Sequence, residues 1–282
     1  MLTDTHAHLF WDSYKNDLDQ VIQNCADSGV TTIVNVGTDL LKSQQALDLE
    51  SGNDKVKFYS TIGIHPHDAT EYFSNPKPLI QKAILDLEKI YFQNPQKVIA
   101  VGECGLDYTF ESHPEWVPNH LTTIQIQHLQ ELLFTSQIEL ARKLNLPLVV
   151  HIRDDRSKNP LNTKAWDKAL SLLQNTPSIL HCYSGLLETT KKVLNTSHLV
   201  SFAGTLTYPK SDHLIAAVKL LPLEKILLET DCPFLPPQSK RGQRNDPTGV
   251  IEIAKMIAQI KNLTLEQVAD QTTKNAKSLL KI

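Results

Sequence analysis

The sequence is short of cysteine, of basic charge and of long apolar runs, and each shortage removes a class of protein. Its four cysteines, Cys25, Cys104, Cys182 and Cys232, are widely spaced and form no CxxC pair. That excludes a zinc ribbon and a disulfide-stapled secreted module, and reduced thiols are expected. Lys and Arg number 28 against 31 Asp and Glu, for a formal net charge of −3, so the chain does not hold nucleic acid by a broadly basic surface. No apolar stretch approaches the roughly 20 residues of a membrane span. Even the best run, Leu144 to Ile152, is interrupted by Asn145, Pro147 and His151. The opening residues, MLTDTHAHLF, lack the basic and apolar segments of an export signal, and a cytoplasmic setting is expected. Also missing are the GxSxG elbow, the GxxxxGK[ST] phosphate loop and the GxGxxG fingerprint.

Eight short apolar runs are present, rich in β-branched residues and separated by longer helical patterns. They are Met1 to Thr5, Thr31 to Val36, Phe58 to Ile62, Val98 to Val101, Pro147 to Val150, Ser178 to Leu180, Leu199 to Phe202 and Lys225 to Leu228. Several are continuous rather than alternating, as in VIAV and PLVV, which is the pattern of parallel strands buried on both faces. Leu129, Leu133, Leu140 and Leu144 fall at helical spacing ahead of Pro147, and Thr264 with Gln267 has the form of a capping box opening a last helix that completes the outer ring. With no repeat, low-complexity tract or linker, residues 1–282 are expected to form a single domain, an α/β (β/α)8 TIM barrel.

Such a barrel carries its active site at the C-terminal ends of the strands, and the sequence places chemistry there. Asp4, His6 and His8 fall at the end of the first run, His65 and His67 after the third, and Glu103, His151, His181 and Asp231 after the fourth, fifth, sixth and eighth. His6 and His8 are two apart, so on an extended segment they leave the same face. Alone, such a pair fits a metal site or two capping histidines equally well. Barrel closure brings Asp231 beside it, while Glu103, His151 and His181 end three consecutive strands and are expected to face it from the opposite side of the mouth. A carboxylate between the two groups can bridge two cations, and two ions about 3.5–4 Å apart can activate a water and stabilise both oxygens of a displacement.

Eight ordered segments carry a resemblance: DTHAHL (Asp4 to Leu9), GIHPH (Gly63 to His67), VGECGLDY (Val101 to Tyr108), LPLVVHIRD (Leu146 to Asp154), HCYSG (His181 to Gly185), SFAGTLTYP (Ser201 to Pro209), LETDCPFLPP (Leu228 to Pro237) and RNDP (Arg244 to Pro247). Together they resemble the TatD family of metal-dependent hydrolases, the deoxyribonucleases of the metal-dependent amidohydrolase superfamily. The resemblance implies two divalent cations, Mg²⁺, Zn²⁺ or Mn²⁺. It implies that His6 and His8 hold one, that His151 and His181 hold the other, that Glu103 is shared, and that Asp231 contacts metal and the attacking water. The implied substrate is DNA, single-stranded or at 3′ ends, cleaved in the 3′-to-5′ direction, with no membrane partner and no obligate protein partner.

His65 and Arg153 are candidate substrate contacts; Arg153 shares the strand face of His151 and offers a bidentate donor suited to phosphate. Its alternative is an ion pair with Asp154 or Asp155, and for His67 it is a cap on the turn at Pro66. Lys240, Arg241 and Arg244 form a local basic cluster that reads as a solvated charge run. Cys104, Cys182 and Cys232 adjoin candidate ligands, but neighbours on a strand point to opposite faces, so packing is the expected role. Thr109 to His120, with Trp116, is either a lid or base-stacking platform or a loop packed on its own domain. Two other functions use the same fold: hydrolysis of a small amide, lactone or ester, and a non-catalytic metal-binding scaffold. Many amidohydrolases bridge their metals with a carboxylated lysine on the fourth strand; VGECG has Glu103 there and no lysine.

Overall fold

In the computed structural model, which describes residues 1–113, 117–118 and 121–282, eight parallel strands pair in chain order into one sheet. They are β1 (Leu2–Ala7), β2 (Val30–Asn35), β3 (Lys57–Ile62), β4 (Val98–Asp107), β5 (Leu148–Arg153), β6 (Ser178–Leu180), β7 (Leu199–Phe202) and β8 (Ile226–Leu228). Between them run α1 (Leu18–Asp27), α2 (Leu40–Asp48), α3 (Pro76–Gln93), α4 (Thr123–Leu144), α5 (Lys164–Leu173), α6 (Leu187–Leu194) and α7 (Asp212–Leu220), and α8 (Val250–Lys261) and α9 (Leu265–Leu280) follow β8. This is the expected barrel. It closes just beyond β8, where Ala7 bridges to Cys232, the Asp231 N–H donates to the His6 carbonyl at 2.8 Å and the His8 N–H to the Cys232 carbonyl at 2.9 Å. Asp4 ties the same seam. Its buried carboxylate accepts from the Thr230 N–H at 2.9 Å, the Thr230 hydroxyl at 2.5 Å and the His6 N–H at 3.2 Å.

Three strands run further than their apolar runs. β1 continues to Ala7, β4 to Asp107 and β5 to Arg153, so His6, Glu103 and His151 sit within strand ends rather than after them. For β4 the reason is glycine. Gly102 and Gly105 interrupt the apolar run, which reads as a strand breaker, yet here they let the strand lie against β5. A Cβ on Gly105 would stand 2.0 Å from the His151 carbonyl oxygen, and φ there is +136°; on Gly102 it would stand 2.3 Å from the Val149 oxygen. The pairing Gly105 with His151 and Asp107 with Arg153 depends on that approach.

The helix through Leu129 and Leu140 is α4, opened by a second capping box at Thr122 and Gln125 and ended at Asn145 in the left-handed conformation. The Thr264 and Gln267 box opens α9 as expected. That helix does more than complete the outer ring: its Ala276 and Leu280 pack with Ile99, Val149, Ile179 and Leu227, each the second residue of its strand. α9 therefore stoppers the N-terminal end of the barrel and leaves the C-terminal end as the mouth. No helix among the described residues is long and apolar enough to cross a membrane. Trp116 of the segment Thr109 to His120 lies outside the described residues.

Gly105→Ala is expected to cost about 3 kcal/mol or more of stability by forcing β4 off β5. Gly52→Ala, in an exposed turn with φ +61° and nothing within 4 Å of the added Cβ, should cost only about 1 kcal/mol. Urea unfolding of the two variants measures the difference, and equal costs would contradict the close-approach account.

Candidate metal centre

Glu103, carried on β4 into the mouth, uses its two carboxylate oxygens separately. Oε2 is 3.4 Å from His6 Nε2, whereas Oε1 is 2.8 Å from His181 Nε2, 3.0 Å from His151 Nδ1 and 3.4 Å from His65 Nε2. On the other side of His6, its Nε2 is 3.2 Å from His8 Nε2, and Asp231 Oδ1 is 3.6 Å and 3.5 Å from the two rings. The donor atoms form three overlapping groups: His6, Glu103 and His181; His6, His8 and Asp231; His65, Glu103 and His151. All six expected ligands thus converge, but not as two sets on opposite sides of the mouth. His6 stacks on His181 with ring centroids 4.1 Å apart, which fuses the sets into one cluster.

Hydrogen bonds behind the rings decide which nitrogens face inward. His8 Nδ1–H donates to the Val36 carbonyl at 2.8 Å, leaving Nε2 with its lone pair toward His6 and Asp231. Two facing imidazole lone pairs repel unless a proton or a cation lies between them, and His6 Nδ1 is buried without a partner. Imidazoles and carboxylates within a few ångströms, with His8 and His151 held from behind by Val36 and Asp107, are a donor set that fits divalent transition metals. His65 differs. Its Nδ1 accepts from the His67 N–H at 3.2 Å, so in the neutral ring Nε2 carries the proton and points it at Glu103. That makes His65 a hydrogen-bond donor on the rim rather than a ligand.

The electrostatics divide the imidazoles. Burial depresses His6, reinforced by His181, and burial brings His65 down to about 4 despite Glu103. For His181 and His151 burial is overcome: Glu103 and Glu229 push His181 well up, and Asp107 with Glu103 raises His151. The carboxylates respond in kind. Against burial, His181, His65 and His151 hold Glu103 well below the usual carboxylate range, and His8, His6 and His181 depress Asp231.

Two carboxylates escaped the sequence reading. Asp107 is fully buried, and its Oδ2 accepts from both His151 Nε2 and His67 Nε2 at 3.0 Å, which turns His151 Nδ1 toward Glu103. Glu229 Oε1 accepts the Cys182 N–H at 2.6 Å and lies 3.5 Å from His181 Nδ1, while Oε2 accepts from the Ser201 hydroxyl. The signal was present for Asp107, four residues beyond Glu103 on β4, the parity that puts side chains on one strand face; Glu229 lies past the end of β8 and Asp231 is left-handed, so no such parity marked Glu229.

The remaining candidates sort plainly. Arg153 is exposed at the end of β5 and makes no side-chain hydrogen bond or ion pair among the described residues, because Asp154 accepts from the Ala165 N–H and Asp155 binds Ser157. His67 belongs to Asp107 rather than to the cluster. Cys104 and Cys232 are buried, Cys182 is half-buried, and none joins a donor group. In the basic cluster Arg244 forms a bidentate pair with Asp17, Arg241 lies 4.1 Å over the Tyr208 ring, and Lys240 is 3.9 Å from Asp246.

The family model for TatD-related DNases matches residues 3–281. The chain belongs to that family. TatD-family relatives align end to end: an uncharacterized metal-dependent hydrolase of Bacillus subtilis, YabD, is 33% identical over 100% of both chains. The 3′-5′ ssDNA/RNA exonuclease TatD of Pantoea ananatis is 27% identical over 98% of each. Among solved structures, the TatD homologue YJJV of Escherichia coli superposes with a TM-score of 0.80 at 23% identity, covering 100% of this chain and 98% of its own, which bears on the fold.

A cation entering the TatD-type site must displace the protons that the raised imidazoles of His151 and His181 hold. Zn²⁺ loading near pH 7 is therefore expected to release protons, and affinity should strengthen as pH rises through those raised values. Calorimetry in buffers of different ionisation heat measures the release; none would contradict this charge distribution. Asp107→Ala, which frees the far side of the His151 ring, should weaken metal binding by about 10–100-fold in chelator competition.

Proposed function

We propose that this chain is a divalent-metal-dependent deoxyribonuclease, acting as a cytoplasmic 3′-to-5′ exonuclease on single-stranded DNA or 3′ ends, with residues 1–282 working as one domain. The observation that carries the reading is Glu103, whose two oxygens face different imidazole sets and so suit a carboxylate shared by two cations. In this reading His6, His8 and Asp231 hold one ion, His151 and His181 hold the other, and Glu103 is common to both. Mg²⁺, Mn²⁺ and Zn²⁺ are the candidates. When bound, the ions supply Lewis acidity toward a phosphoryl oxygen and toward water.

The protein's own groups supply the rest. Asp231, depressed by its imidazole neighbours, is ionised at neutral pH and accepts the proton of the attacking water. The water oxygen bonds to phosphorus as the bond from phosphorus to the neighbouring 3′-oxygen breaks, leaving a 5′-mononucleotide and a strand shortened by one. Arg153, exposed and without an ion pair among the described residues, offers two parallel N–H groups to phosphoryl oxygens, and His65, whose Nε2–H faces Glu103, is the second candidate substrate contact. Support from outside the structure comes from relatives named as a metal-dependent hydrolase and as a 3′-5′ ssDNA/RNA exonuclease.

Metal-reconstituted protein is expected to shorten single-stranded DNA from its 3′ end, and Glu103→Ala to abolish this. Asp231→Asn should lower kcat by about 10²–10⁴-fold with metal still bound by elemental analysis; full turnover in that variant would remove Asp231 as the proton acceptor. Duplex DNA, RNA and small esters and amides complete the panel. Cleavage of an ester or amide with no turnover of DNA would overturn the nuclease reading in favour of amidohydrolase chemistry.

A further inference from the structure

Three aromatic side chains stand on one side of the mouth, each within ring contact of His8. Phe10 and Trp11 follow β1 and lie 5.8 Å from the His8 ring by centroids, and Phe234, from the loop after β8, lies 6.4 Å from it. Phe234 and Trp11 meet edge to face at 5.0 Å and 89°. Both are fixed by turns that start at the site itself: the Trp11 N–H donates to the His8 carbonyl at 3.2 Å and the Phe234 N–H to the Asp231 carbonyl at 2.9 Å. A single exposed phenylalanine is ordinary on a protein surface. Here Phe234 is 44% exposed although Trp11 packs on it, so an aromatic surface remains open directly beside the candidate ligands. Lys42 Nζ lies 5.8 Å over the Trp11 ring and pairs with Asp39 at 2.8 Å.

We propose that Phe234, buttressed by Trp11, is the stacking surface for the nucleobase whose phosphate lies at the His6, His8 and Asp231 group. The inference rests on the nuclease reading and adds where the base goes. The Phe234 and His8 rings touch, with 6.4 Å between their centroids, so a base laid on the exposed part of Phe234 stays within one sugar's reach of a phosphate at the His8 group. An aromatic face accepts any base, because every base presents a π-face and stacking requires no hydrogen-bond pattern. This surface therefore grips the terminal nucleotide without selecting its sequence. The edge-to-face contact leaves Trp11 as the support of the Phe234 ring rather than as a competing stacking partner.

Binding of a product nucleotide to the metal-loaded protein tests the idea without requiring turnover. The probes are dAMP and 2-deoxyribose 5-phosphate, which differ by the base alone, titrated by calorimetry. Wild-type protein is expected to bind dAMP about tenfold more tightly than the sugar phosphate. Phe234→Ala should reduce that advantage to within about twofold while leaving sugar phosphate affinity in place, and Phe234→Trp should retain it. Sugar phosphate binding reports that the alanine variant is folded. If it is lost, Phe234→Leu, which keeps bulk without a π-face, is the replacement and should lose most of the advantage. A base advantage that survives both variants, or is absent from the wild type, overturns the assignment. The two readings can fail separately, since DNA can be cleaved without a preference for dAMP, and dAMP can be preferred by a protein that leaves DNA intact.

Discussion

The carboxylate of Asp4, fully buried at the seam between the first and last strands, accepts hydrogen bonds from Thr230 and from the backbone of His6. That interaction spans 226 positions of the chain. Everything at the mouth depends on it, because His6 and His8 arrive on one side of the seam and Asp231 on the other. An unsatisfied carboxylate at such a depth would cost several kcal/mol; satisfied by three donors, it fixes the register in which the barrel closes. Local sequence makes each strand, but the donor cluster exists only once the two ends are sutured.

The cluster in turn is a problem of buried charge solved by reciprocity. Glu103, Asp231, Asp107 and Glu229 are sequestered with five imidazoles, and no arrangement leaves them all in their solution states. Where carboxylates outweigh burial, as at His151 and His181, the ring is pushed toward the cationic form; at His6, which also faces Glu103 and Asp231, burial and the His181 ring prevail and push it toward the neutral one. The same imidazoles hold Glu103, Asp231 and Asp107 ionised. Such an assembly is costly to form and simple to fill, since a dication replaces protons the site already holds.

The barrel was legible because eight apolar runs, continuous rather than alternating, have few other solutions at this length, and because the candidate ligands ended those runs in order. The strand ends were less legible. Gly102 and Gly105 look like breakers in one dimension and are contact points in three, so β4 ran on to Asp107 unseen, and Asp107 with it. Glu229 was hidden by its neighbour: in LETD the aspartate reads as the reactive group, and the structural work of the glutamate shows only when Cys182, Ser201 and His181 close around it. The relation between His6 and His181, stacked rather than separated, is a consequence of barrel curvature that spacing along a chain does not encode.

The last helix gives the molecule a direction. Ala276 and Leu280 of α9 pack with Ile99, Val149, Ile179 and Leu227 in a filled interior, so the barrel has one working face, the end to which its strands deliver the ligands. Any molecule handled at that face must therefore arrive and leave on the same side.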